Sequence, residues 1–267
     1  MSKRDTLAWP VEKTGHRPVP PFILLIAIVL FSCAPACAQS FSVQPTKVSF
    51  DRNTKAQKLV IRNRSAHDLS LQAGVCKWSQ DKDGRDIYED TSDIVIFPRI
   101  FTVRKGEQRL VRLGTTPGPA SRERAYRVFV EELPVRDPKT PRSGIDLVFK
   151  VGIPVFLSPL QNSREQLSVS LAVEKGKVLV SALNNDNAHT TIESVSMIGQ
   201  DSREKEVFSK SLTGWYILSG SSRTYEADIP QALCARLTRL RAVVRTERNS
   251  FEDVVEVTGS MCGPPVK

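Results

Sequence analysis

An all-β protein of two sandwich domains, preceded by a cleavable export signal, is what the sequence predicts. Three observations carry that prediction. Apolar and polar residues alternate with a period of two in one segment after another, the segments are short and bounded by Gly, Pro and charged turns, and no convincing 3.6-residue apolar stripe runs through the chain. With 267 residues, 40% hydrophobic, 25% charged, 14 Gly and 17 Pro, the composition is that of a folded globular protein. It excludes collagen-like, disulfide-scaffold and disordered classes, and the length accommodates two domains with a core each.

The export signal comes first. Lys3, Arg4, Lys13 and Arg17 precede the uncharged run Phe22 to Phe31, FILLIAIVLF. That run is about half of the ~20 apolar residues a membrane-spanning helix needs. Ala36-Cys37-Ala38 then places small residues where a signal peptidase reads. A basic start, a short apolar centre and an A-x-A end predict a signal peptide over residues 1–38, cleaved after Ala38, with no stable membrane insertion afterwards. Removing it takes four basic and two acidic residues, so the formal charge falls from +9 to +7, 34 Lys and Arg against 27 Asp and Glu. The remaining charge is scattered: Arg122, Arg124 and Arg127 are interrupted by Glu123 and followed by Glu131 and Glu132. No nucleic-acid footprint results. Of the mature cysteines, Cys234 and Cys262 can form one bridge in an oxidising compartment, which leaves Cys76, in the alternating stretch LQAGVCKW, as a buried free thiol.

The strands follow in order. Phe41 to Phe50 alternates around Pro45, which predicts an edge or bulged strand. Gln57 to Asn63 alternates again, and the polar segment Arg64 to Asp68 turns the chain into Leu69 to Trp78. A polar loop, SQDKDGRD, comes next. Ile94 to Pro98, Arg99 to Val103 and Gln108 to Gly114 are short strands, with Lys105-Gly106-Glu107-Gln108 as a hairpin turn between the last two. Tyr126 to Leu133 alternates cleanly, and Ile145 to Leu157 is a long apolar run, IDLVFKVGIPVFL. Seven or so short strands in about 100 residues predict a sandwich over 39–160. Ser158 to Gln166, polar and containing Pro159, reads as a linker. A second β-domain over 161–267 follows, with strands at Leu167–Val173, Lys177–Leu183, Thr191–Met197, Glu206–Ser209, Leu212–Leu218, Ser222–Ile229, Leu237–Thr246 and Phe251–Thr258. Only Ala232 to Leu237 reads as a helical turn, and no internal repeat is evident.

Enzyme signatures are missing. The mature chain has two histidines, His67 and His189, both in polar loop contexts, where a lone histidine is ordinarily solvated. No GxSxG elbow, HExxH or phosphate loop occurs. Asp81 to Asp86, DKDGRD, has a calcium-loop flavour but Ser92 where the twelfth-position glutamate belongs, so it reads as a charged hairpin tip. The expectation is a protein that is not an enzyme and takes no cofactor or metal.

Several segments, in order, resemble a known family. VQPTKVSF with KLVIRN is similar to an opening strand pair; FPRIFTVRKGEQRLVRL, to a proline-led stretch with its arginine at Arg112; SRERAYRVFVEELP, to an Arg-Glu segment ending Glu132-Leu133-Pro134. With GIPVFLSP closing the first domain, residues 41–160 resemble the PapD-like periplasmic chaperones of the chaperone–usher pilus pathway, in particular their spore-coat-like or archaic branch. The resemblance implies two immunoglobulin-like sandwiches in a boomerang arrangement, located in the periplasm. It also implies a job: to bind, fold and cap pilus or fimbrial subunits by donor-strand complementation and deliver them to an outer-membrane usher. The donated strand would carry Ile145, Leu147, Phe149 and Val151, which fall at period two and so project from one face. The bland alternative is a core strand buried on both sides, since Val148, Val155 and Phe156 are apolar as well.

The resemblance further implies two basic residues gripping the subunit's terminal carboxylate. Lys47 stands at the first position; Pro154 falls at the second, so Lys150, four residues earlier on the same strand face, is the nearest candidate. The linker also departs from the family: Leu157-Ser158-Pro159 lacks the arginine that joins an interdomain ion pair, leaving that pair absent or rebuilt from Glu123 and another base. A different class remains in play, a secreted two-domain β-sandwich adhesive or carbohydrate-binding protein, whose recognition would fall to aromatics on the loops.

Overall fold

The computed structural model describes residues 40–134 and 148–263. The predicted signal segment lies outside these, as do Ile145 and Leu147. The first sandwich is built from β1 (Phe41–Gln44), β2 (Val48–Phe50), β3 (Ala56–Asn63), β4 (Leu69–Gln80), β5 (Asp86–Asp90), β6 (Ile94–Phe97), β7 (Ile100–Val103), β8 (Gln108–Thr115), β9 (Arg124–Glu132) and β10 (Lys150–Leu157). One sheet has the order β1-β3-β8-β6; the other runs β2-β10-β9-β4-β5, with β7 paired to β4. The period-two alternation becomes the core: Leu59 and Ile61, Leu69 and Leu71, Val111 and Leu113, Val128 and Val130, and Ile153 and Val155 all point between the sheets and are buried.

The second sandwich uses β11 (Leu167–Glu174), β12 (Lys177–Asn184), β13 (Thr190–Gln200), β14 (Glu206–Thr213), β15 (Tyr216–Ile217), β16 (Ser222–Asp228), β17 (Arg239–Thr246) and β18 (Ser250–Glu256). Its sheets run β11-β12-β16 and β14-β13-β17-β18, with β15 paired to β13. One helical turn, α1 (Gln231–Cys234), and a 3₁₀ turn (Gly259–Cys262) complete it, and Cys234 is bridged to Cys262. Cys76 is a half-buried free thiol.

Three elements differ from the sequence reading, each for a physical reason. Phe41 to Phe50 is two strands in two sheets, not one bulged strand: the chain leaves β1 at Gln44, passes Pro45, which has no N–H to give a ladder, and pairs anew as β2. The DKDGRD tip does turn on Asp81, whose Oδ1 accepts the N–H groups of Asp83 (2.9 Å) and Arg85 (2.8 Å). It continues, however, into β5, whose sequence DIYED lacks an apolar face because an edge strand largely exposed on both faces needs none. Leu212 to Leu218 splits at Gly214, where a Cβ would collide with the carbonyl oxygen of Ile192.

A local repeat, invisible as sequence similarity, links the domains. Asn63 ends β3 and Asn184 ends β12, both buried. Asn63 Nδ2 donates to the carbonyls of His67 (2.7 Å) and Val103 (2.9 Å), and its Oδ1 accepts the N–H of Ser65 (2.8 Å). Asn184 Nδ2 donates to the carbonyls of Ala188 (2.8 Å) and Ile217 (2.9 Å), and its Oδ1 accepts the N–H of Asp186 (3.0 Å). In each case the fourth residue onward and a strand across the loop are tied to one side chain, satisfying main-chain groups that burial would otherwise strand.

Candidate functional site

Among the described residues, the outer edge of β10 is unpaired along part of its length. On one side β10 is fully paired with β9, from Lys150 against Glu131 to Leu157 against Arg124. On the other, β2 covers Val155 to Leu157 only, in parallel, so among the described residues no strand flanks Lys150 to Pro154. Which groups face outward follows from parity. The N–H of Glu132 donates to the carbonyl of Phe149 (2.9 Å), so odd-numbered residues exchange bonds with β9; the N–H of Ser158 donates to Phe50 (2.8 Å), so even-numbered residues face the other way. The open edge therefore offers the N–H and C=O of Lys150 and of Gly152; Pro154, which has no N–H, turns its C=O towards Val48 at the start of β2.

The side chains of β10 divide along its length. Ile153, Val155 and Leu157 are buried in the first core, while Phe149 and Val151 pack against it half-buried and Val148 is exposed. The long apolar run thus combines a core strand at its C-terminal end with an unpaired edge at its N-terminal end. Such an edge, unless covered, is a template for another chain.

Lys47 lies just before β2 and lines a cleft of about 400 Å³ together with Glu123, Ser158, His189, Glu247 and Arg248. Its Nζ is 3.9 Å from Glu247 Oε2, with side chains 40% and 53% exposed, an ion pair worth little in water and easily exchanged. Lys150 does not line this cleft. Its Nζ is 3.2 Å from Glu131 Oε2 and 4.8 Å from the centroid of the Phe129 ring, so β9 claims it. The structure does not bring the two predicted anchor lysines together. Arg248, in the turn between β17 and β18, is the cation of the second sandwich that the sequence reading missed; an ordinary polar turn, TERNS, held no signal for it.

The joint between the sandwiches is dense. Trp78, Ala125, Phe156 and Leu218 form a small buried cluster with Tyr216 against it. His189, which the sequence suggested was solvated, is largely buried here: its ring stacks on Phe156 with centroids 3.7 Å apart and planes 9° apart. Its Nδ1 lies 2.7 Å from Glu123 Oε1, and its N–H donates to the same oxygen at 3.0 Å. Glu123 and His189 thus make a hydrogen-bonded contact between the two sandwiches. Gln80 Nε2 donates to the carbonyl of Tyr216 (2.9 Å) and its Oε1 accepts the N–H of Leu218 (2.9 Å). At the hairpin tip, Gly84 has φ +75° and sits where a Cβ would come 2.6 Å from the carbonyl oxygen of Ser222, so both torsion and proximity call for glycine. Burial raises the phenols of Tyr88 and Tyr216 above the usual tyrosine range, which keeps them neutral at this seam. Trp78 and Trp215 both belong to the joint rather than to loop tips.

This is the fold of chaperone–usher pilus chaperones: two immunoglobulin-like sandwiches, the first with a strand edge left open beside an interdomain cleft. The chain carries, over residues 40–162, the domain described as "Pili and flagellar-assembly chaperone, PapD N-terminal domain". Among solved structures it is similar to a chain of the CsuC–CsuE chaperone–tip adhesion subunit pre-assembly complex from archaic chaperone-usher Csu pili of Acinetobacter baumannii. The TM-score is 0.57 at 21% identity, over 80% of this chain and 98% of that one. It is also similar to the YadV chaperone, with TM-score 0.56 and 13% identity over 82% and 100%. The E. coli chaperone DraB gives 0.50 and 19% over 80% and 97%. No curated protein matches the chain in sequence.

Proposed function

We propose that this protein is a non-enzymatic periplasmic chaperone that captures pilus or fimbrial subunits by strand donation from β10 and passes them to an outer-membrane usher. The observation that carries the proposal is the open edge at Lys150 to Pro154, backed by half-buried apolar side chains at Phe149 and Val151. A subunit that lacks a strand pairs its own main chain with the free groups of Lys150 and Gly152, and its apolar groove meets the apolar residues of the strand. Ile145 and Leu147 extend the same period-two series. Lys47 in the adjoining cleft receives the subunit's terminal carboxylate, displacing Glu247; Lys150 contributes through its backbone, its ammonium lying over β9 beside Glu131 and outside the cleft. The export signal over residues 1–38 delivers the chain to the periplasm, where the Cys234–Cys262 bridge persists.

Two substitutions at one position test this reading. Lys150→Ala removes the ammonium and keeps the N–H, whereas Lys150→Pro also removes the outward N–H without touching a bond to β9. Capture of a urea-unfolded fimbrial subunit is expected to survive Lys150→Ala. It is expected to weaken with Lys150→Pro by about fivefold, the worth of one main-chain hydrogen bond of about 1 kcal/mol. Equal capture by both variants at the wild-type level would show that this edge does not pair with the client.

A further inference from the structure

Arg127 stands on β9, directly across from Pro154 of β10 and from Cys76 of β4, on the sheet face that meets the second sandwich. Its side chain is 11% exposed. Nη1 donates to Tyr88 Oη on β5 at 3.0 Å and lies 3.6 Å from Asp86 Oδ2 on the same strand. The guanidinium carbon is 4.8 Å from the centroid of Trp78 on β4 and 5.1 Å from that of Trp215, which belongs to the second sandwich between β14 and β15. Trp215 closes the triangle, its Nε1 donating to Asp86 Oδ2 at 3.0 Å. The side chain also crosses β10: a Cβ at Gly152 would lie 2.9 Å from Arg127 Nε and 3.1 Å from the Phe129 ring, so a residue without a side chain is what lets it pass.

We propose that Arg127 is a positioning residue for strand donation, clamping the open edge of β10, the β4–β5 hairpin and the second sandwich into one body. The inference rests on the strand-donation reading for its functional consequence. The chemistry suits arginine in particular. A planar guanidinium contacts two indole rings while its N–H groups reach a phenol and a carboxylate; an ammonium is a point charge that cannot do both. The nearly buried charge is offset by Asp86, by the Tyr88 hydroxyl and by the faces of Trp78 and Trp215. An edge presented in a fixed place beside the Lys47 cleft saves the incoming subunit the cost of ordering it.

The test uses the full mature chain with Cys76→Ala, and with nitroxide labels at Lys58→Cys on β3 and Lys210→Cys on β14, both exposed positions on opposite sandwiches. Interdomain distances are read by electron–electron resonance without any client, and capture of a urea-unfolded fimbrial subunit is timed separately. Trp215→Ala removes the clamp from the second sandwich at a residue already 36% exposed, so the fold survives even if Arg127→Met does not. The expected result is a distance distribution at least about twice as wide, with capture slowed by about tenfold, in Trp215→Ala and Arg127→Met, and no rescue by Arg127→Lys. A distribution as narrow as wild type in Trp215→Ala, or full rescue by lysine, overturns the proposal. Wild-type protein that captures no subunit condemns strand donation instead, because the distance arm is read without the subunit.

Discussion

Lys47 and Lys150 carry the same charge and meet opposite fates. Lys150 projects over β9, where Glu131 and the Phe129 ring engage its ammonium; Lys47 is at the mouth of the interdomain cleft, where Glu247 holds it loosely. A terminal carboxylate brought to the cleft competes with Glu247 for Lys47. Lys47→Ala should therefore weaken a subunit peptide with a free C-terminus by about tenfold, a charge-assisted bond of about 1.5 kcal/mol, and leave its C-terminal amide unaffected. Calorimetric titration of both peptides checks this; an equal loss for acid and amide would remove Lys47 from carboxylate recognition. His189 and Glu123 make the complementary point. Neither residue type marks a domain joint, yet stacking on Phe156 and a 2.7 Å contact make them one.

The element that matters most is β10, and its two ends obey different rules. From Ile153 onward every second side chain is core, and β2 seals the backbone edge over Val155 to Leu157; among the described residues the edge before that pairing is free, and Arg127 lies across the sheet face there. Gly152 marks the change. Gly152→Ala places a methyl group 2.9 Å from Arg127 Nε, so the guanidinium must shift, at a cost of about 1–3 kcal/mol in unfolding free energy. Denaturant unfolding measures that cost, and Gly152→Ala combined with Arg127→Met should lose less than the sum of the two, because the collision partner is gone. An additive double variant would mean that the two residues do not meet. β5 teaches the converse lesson: its strand is held by pairing with β4, not by an apolar face, which is why DIYED carried no strand signal.

At the scale of the whole molecule, turns in both sandwiches contribute to acid stability. The carboxyls of Asp51, Asp81 and Asp201 are all held below their ordinary value of 3.8. Asp51 is held chiefly by the Thr54 side chain and then by the N–H groups of Asn53 and Thr54; Asp81 chiefly by the N–H of Arg85; Asp201 chiefly by the N–H of Arg203. A group whose folded pKa is depressed contributes stability that is complete above the unfolded value and fades as pH falls through the folded one. The melting temperature should therefore hold steady down to about pH 4 and decline as the pH falls further. Replacing all three by Asn should flatten that decline; an unchanged slope would assign it to other carboxylates.

Period-two alternation, turn composition and the apolar run at Ile145 to Leu157 were enough to determine that this is an all-β, two-sandwich chain, because which side of a strand is buried is a local property of its own residues. It was the family resemblance carried by the order of those segments that pointed to the β10 strand. What only the tertiary structure decided lies wherever two distant segments meet. Pro45 divides one apparent strand between two sheets, Lys150 belongs to β9 instead of the cleft, and Arg248, His189 and Trp215 come from the second sandwich to the seam of the first. Arg127 looked like one more scattered base in a run of them. Its partners are 39 residues away at Tyr88, on the other edge of the sheet, and across the joint at Trp215, and no periodicity along the chain encodes a contact made between domains.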